Sequence, residues 1–136
     1  MDINLAQALE VIEAAKAKAM EIAHPMVIAV CDSGGNLLAL ERMDEALLVS
    51  VDISINKAYT SVFLKNTTEN LGKASQSGGE LFGIHNACDN RIVIFGGGIP
   101  LQKDGKIVGA IGVSGGSVAQ DIIVATAGVE RFESLD

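Results

Sequence analysis

Few side chains in this sequence can bind a metal or act as a nucleophile at neutral pH, and they are scattered. There are two histidines, His24 and His85, and two cysteines, Cys31 and Cys88. His24 stands directly before Pro25. A histidinium there would favour the C-terminal dipole of a preceding helix and could cap it. Alternatively, one ring nitrogen could ligate haem iron if the other nitrogen were held by a hydrogen bond. His85 and Cys88 are three residues apart, with Asp89 following. No third histidine or cysteine stands at zinc-site spacing, so a structural zinc site is not expected. Cys31 and Cys88 make no CxxC pair, and reduced thiols are expected, Cys31 as a small buried apolar residue at a strand end.

Two glycine-rich stretches invite stronger readings, and both lack chemical partners. Gly112-Val113-Ser114-Gly115-Gly116 satisfies the G-x-S-x-G pattern of a nucleophile elbow. A serine nucleophile needs a base to take its proton, and in the hydrolase order that histidine follows the serine. Both histidines precede Ser114. The stretch therefore reads as a tight strand-to-helix turn, with Ser117 and Gln120 spaced for a capping box. Amides at that helix start could receive an anionic ligand group, although Asp121 places a carboxylate in the same turn. Gly96-Gly97-Gly98-Ile99-Pro100 has the glycine density of a phosphate loop, but no G-K-[ST] follows. It reads as a rim around a pocket. Gly97, Gly98 and Ser114 are thus candidate ligand contacts. Glu41, Arg42 and Asp44 offer an ion pair or a pocket edge, with Arg42 the candidate cofactor-binding cation, and no residue is assigned a catalytic role.

The elements that must position these groups follow from periodicity. Leu5, Leu9, Ile12, Ala15, Ala19 and Ile22 recur at helical spacing over residues 4–23, with Asp2 or Asn4 as the cap and Pro25 as the stop. Residues 26–31 and 37–42 read as strands joined by the turn Asp32-Ser33-Gly34-Gly35-Asn36, an antiparallel hairpin. Residues 49–65 alternate at first like a strand, but Val51, Ile55, Ala58, Tyr59, Val62 and Phe63 continue a helical face, so a helix is expected. A short helical turn should follow Thr67, and residues 75–90 read as a loop-rich crossing. Residues 91–95 are expected as a third strand, broken by the three glycines and extended again at 99–101. After a turn at 103–106, residues 107–113 form another strand, and a helix runs from Ser117 to about residue 132. This order argues for a mostly antiparallel sheet covered by helices.

Bulk properties narrow the function classes. At 136 residues the chain suits one domain, taken as 1–136. It is 49% hydrophobic and only 4% aromatic, which makes Ile, Val, Leu and Ala the core formers. The net charge of −7, with no basic cluster, disfavours nucleic acid. No apolar run is long enough to span a bilayer and no leader is evident at Met1, so no membrane partner and a cytoplasmic location are expected.

Taken together, the motifs are more specific than any one of them. The run 27–37, Val-Ile-Ala-Val-Cys-Asp-Ser-Gly-Gly-Asn-Leu, is followed by Leu40-Glu41-Arg42-Met43-Asp44. With Gly96 to Pro100, Asp104-Gly105, the run 108–116, Gln120-Asp121 and Ala127-Gly128, it resembles the GlcG/HbpS-like family, which includes the C-terminal domain of PduO proteins. That resemblance implies a three-layer α/β/α fold with a central, mostly antiparallel sheet, somewhat like profilin. It implies a homo-oligomer and a haem- or corrinoid-related role in diol, glycerol or glycolate use, as an accessory protein with a small-molecule ligand. In the haem version His24 is the preferred axial ligand and His85 the alternative. Asn36 stands where such turns often hold histidine, which removes one candidate ligand. The adenosyltransferase domain of full-length PduO is not part of the resemblance. An enzyme acting on a small metabolite near Glu41 and Arg42, or a structural protein without cofactor, are the alternatives.

Overall fold

The computed structural model describes residues 2–135. Its first helix, α1 (Leu5–Glu21), is capped by Asn4, whose side chain accepts from the Gln7 amide while the Gln7 side chain accepts from the Asn4 amide. The reciprocal bonds satisfy two of the donors that a helix start leaves open. Strands β1 (Val27–Asp32) and β2 (Leu37–Arg42) then form the expected hairpin. Its turn is fastened by Asp32, whose Oδ1 accepts from the amides of Gly34 and Asn36, both at 2.9 Å.

Helices α2 (Val49–Leu64) and α3 (Thr68–Ala74) follow. A 3-10 turn, Ile84–Asn86, leads into the short turn α4 (Ala87–Asn90), where Cys88 and Asp89 take left-handed φ values of 54° and 56°. Strands β3 (Gly98–Lys103) and β4 (Lys106–Ser114) make a second hairpin, and α5 (Val118–Glu133) closes the fold. The order β2-β1-β4-β3 is antiparallel throughout. With α1 and α5 on one face and α2 on the other, the architecture is three layers, α/β/α.

Strand alternation sends different residues to the two faces. Ile28, Val30, Ile111 and Val113 join Val11, Ile12, Ala15 and Val124 in the main core with α1 and α5. Cys31 and Ala110 meet Ala58 and Val62 of α2 in a smaller cluster.

Two expectations are corrected. Residues 91–95 are not a strand, because they pair with none. Their apolar side chains fill a different role: Ile92 is buried against Tyr59 and Leu71. Their backbone is held by side chains, the Val93 amide donating to Thr60 Oγ1 at 3.0 Å. The second correction concerns α2, a helix that buries Ala58, Tyr59 and Val62 of the expected apolar face but buries a polar stripe beside them as well. Ser50, Ser54, Lys57 and Ser61 point inward and are buried, whereas Val49 and Phe63 are exposed.

Candidate functional site

The inward stripe of α2 ends at the place where the glycine-rich stretches converge. Lys57 is fully buried, and its Nζ donates to the Val113 carbonyl at 2.7 Å and to Asp121 Oδ2 at 3.0 Å. Asp121, in the first turn of α5, uses its other oxygen to accept from the Gly116 amide at 2.9 Å. The side chain of Lys57 thus reaches from the layer on one face of the sheet to the first turn of a helix on the other. Desolvation lowers the Lys57 pKa and raises that of Asp121, and their mutual attraction opposes both shifts.

Gly97 is required at this junction. Its φ of 127° lies in the left-handed region, and a Cβ there would stand 2.6 Å from Lys57 Nζ. Gly98 packs equally closely under the Ser61 hydroxyl, and its amide donates to Thr68 Oγ1 at 2.9 Å. Ser114 is buried and lies 3.0 Å from the Ser50 hydroxyl, with no histidine bonded to it. Ser114 thus sits buried at the start of the tight strand-to-helix turn that its glycines suggested. Ser117 and Gln120 form the capping box their spacing suggested. Asp121, which weighed against an anion at this helix start, occupies the Gly116 donor itself.

His24 lies beside this junction. Its side chain does not cap α1: Nδ1 stands 3.2 Å from the Pro25 carbonyl oxygen, while its backbone amide reaches the Ala19 carbonyl. A carbonyl can only accept, so Nδ1 carries the proton in this bond and Nε2 keeps its lone pair. The ring is half-buried. The following Pro25 and Met26 press against Gly115, whose φ of 140° again favours glycine. His85, in contrast, sits exposed on the 3-10 turn, and no hydrogen bond or ion pair joins it to His24. Among the described residues no three metal-ligating side chains gather, and Cys88 is exposed while Cys31 is buried.

Arg42 lines a groove of about 490 Å³ with Lys16, Met20, Glu41, Met43 and Asp44. The expected partnership of Glu41 with its neighbour is not formed, because Glu41 pairs with Lys16 of α1 at 2.9 Å. Met43 Sδ accepts from the Met26 amide at 3.4 Å, so the groove's wall is tied to the segment that follows His24. The site residues thus fall into a buried junction (Gly97, Gly98, Ser114), an adjacent half-buried histidine, a groove edge (Arg42) and an isolated histidine (His85). Lys57 was missed by sequence reasoning. A lysine in mid-helix ordinarily faces water, and its one signal was spacing, with Ser50, Ser54, Lys57 and Ser61 standing on one helical face.

A small α/β/α domain of this topology, with these glycine-rich turns, falls within a recognised class. The chain belongs to the HbpS-like family, whose model, described as haem degrading protein HbpS-like, matches residues 3–130. It is 47% identical over 133 residues to a 15.0 kDa protein of the dhaT-dhaS intergenic region of Citrobacter freundii, covering 98% of this chain and 94% of that one. It is 37% identical over 125 residues to the corrinoid adenosyltransferase PduO of the same organism, covering 92% of this chain but only 37% of PduO. The crystal structure of a PduOC:heme complex superposes with a TM-score of 0.92 at 33% identity, covering 96% of this chain and 95% of that one. No helix among the described residues is long and apolar enough to cross a membrane.

Proposed function

We propose that this protein is a small haem-binding accessory protein, with His24 Nε2 as an axial ligand. The observation that carries the reading is the bond of His24 Nδ1 to the Pro25 carbonyl, which fixes the ring and leaves Nε2 available. Iron-bound histidines ordinarily have the other ring nitrogen held in this way, which sets both orientation and basicity. The groove whose Met43 wall is bonded to Met26, two residues after His24, has the size of ordinary ligand sites, about 300–1,000 Å³. Met20 and Met43 would give the porphyrin an apolar, adaptable contact, and Arg42 or Lys16 a cation for a propionate. Haem itself would supply iron-centred redox or ligand chemistry; the chain holds, orients and partly shields it. The similarity to a PduOC:heme complex supports this reading. We further propose that the protein acts as a homo-oligomer in the cytoplasm, in the use of diols, glycerol or glycolate, without adenosyltransferase activity of its own.

The test is a titration of the metal-free protein with haem, followed by absorption. The expected result is a saturable spectral change, lost in His24→Ala and retained in His85→Ala. No saturable change near about 10 μM protein, an affinity that would leave the binding free energy weaker than roughly 7 kcal/mol, overturns the reading. The groove supports a second reading, an enzyme or sensor for a small anionic metabolite held by Arg42 and Lys16. It predicts ligand binding that is lost in Arg42→Ala and indifferent to His24→Ala.

A further inference from the structure

Lys57 Nζ stands at a crossing of chain segments that would otherwise be independent. It bonds the Val113 carbonyl at the end of β4 and the Asp121 carboxylate in α5, and the Phe95 ring lies 5.0 Å away. The Val113 amide in turn donates to the Gly97 carbonyl at 2.9 Å, and Gly97 leaves just the space that the ammonium fills. Asp121 completes the circuit by accepting from the Gly116 amide. The charged group facing Lys57 from α5 is Asp121; β4 presents a carbonyl to it and the 91–97 segment an aromatic ring. Asp121 faces Lys57 and the Gly116 amide, with His24 the other titratable group near it. The other bonds at these turns are Gly98 N to Thr68 Oγ1 and the Ser117–Gln120 capping box, and Gly98 begins strand β3.

We propose that the Lys57–Asp121 pair is an electrostatic latch. With both charges present it locks the turns at 96–98 and 115–116 against the end of the sheet; loss of either charge lets both turns open while the sheet stays folded. The physical basis is the cost of a lone buried charge. Without its partner, Lys57 or Asp121 gains most by reaching water, and the glycine turns are the compliant route. Residues 96–98 are buried but carry no side chain of their own, so the polar contacts above and the side chains packed over them hold their place. Opening would move Gly115 away from Pro25 and Met26 and so alter the wall beside His24. The latch does not depend on haem, and its test uses the protein without haem.

Amide hydrogen exchange in Asp121→Asn is the direct experiment. The variant keeps an oxygen for the Gly116 amide and removes the charge. The amides of Val113, Gly116 and residue 121 should accelerate at least about tenfold more than those of Val30 and Ile111, which report only the loss of global stability. Unchanged exchange at the turns overturns the latch. Equal acceleration everywhere also overturns it, because the pair would then be a global stabiliser only. If the variant does not fold, exchange of the parent protein in low denaturant decides. Both turns should open as one unit before the sheet, and opening only with global unfolding is the contrary result.

Discussion

The two faces of the sheet are packed by opposite means. On the α1/α5 face, Ile28, Val30, Ile111 and Val113 project large apolar side chains into a dry core with Val11, Ile12 and Val124. On the α2 face the same strands offer Ala29, Cys31, Ala110 and Gly112, and α2 answers with Ala58, Val62, serines and a lysine. Small residues let the α2 backbone approach closely, and the polar stripe then finds partners at the sheet's end. One face is held by volume; the other is held by close approach and a buried charge pair.

The charge pair should give the largest effect. Asp121→Ala leaves Lys57 buried without a partner and should lose about 3–5 kcal/mol in urea unfolding. The double variant Lys57→Met/Asp121→Leu should recover most of that loss, since an apolar pair of similar volume carries no desolvation cost. Failure to recover would mean that hydrogen bonds, rather than charge burial, dominate the junction.

The faces should next respond to opposite changes in volume. Ile111→Ala removes buried volume from the α1/α5 side and should cost about 2–5 kcal/mol. Gly112→Ala adds volume on the α2 side, where a Cβ would meet the Ser54 carbonyl and lie 2.7 Å from the Ala58 amide nitrogen. It should cost about 1–3 kcal/mol despite its favourable backbone entropy. Equal tolerance of both changes, read from urea midpoints, would erase the distinction. Ser50→Ala should cost less, about 0.5–1.5 kcal/mol, because Ser114 loses one hydrogen bond.

The smallest effect concerns the thiols. Burial pushes the Cys31 thiol up to about 12 from its ordinary value of 9.0. The unfolded chain therefore loses this proton first. The associated stability is complete below pH 9.0 and declines as pH rises toward about 12. At pH 8 a thiol reagent should modify exposed Cys88 at once and Cys31 only on unfolding. Rapid reaction of both would show that the α2 face is open to solvent.

The contrast between faces also explains what was legible in the sequence. Helix α1, both hairpins and α5 follow from apolar period, caps and turn residues, and they occur close to the expected positions. Those signals report burial of apolar groups, and the α1/α5 face is built from nothing else. The α2 face follows the rule only in part, burying Ala58, Tyr59 and Val62 as their spacing suggested. Val49 and Phe63 look like core and are exposed, while Lys57 looks solvent-facing and is fully buried. The run 91–95 misled for a related reason, because its apolar residues pack as a loop held by Thr60. The glycine at 115 was recognisable as part of a tight turn, whereas that at 97 read as the rim of a pocket. What they make room for, an ammonium and the Pro25–Met26 backbone, depends on tertiary contacts between residues far apart in sequence. His24 stood out by type and position, but its ring hydrogen bond could be read only from the folded chain.

The availability of His24 Nε2 is the central claim, and nitrogen NMR of the histidine-labelled protein tests it most directly. Without haem, His24 should appear as the tautomer protonated at Nδ1. Adding ferric haem should then abolish the His24 ring signals by paramagnetic broadening and leave those of His85 in place. Loss of the His85 signals with His24 untouched, or a His24 ring protonated at Nε2, would contradict the account.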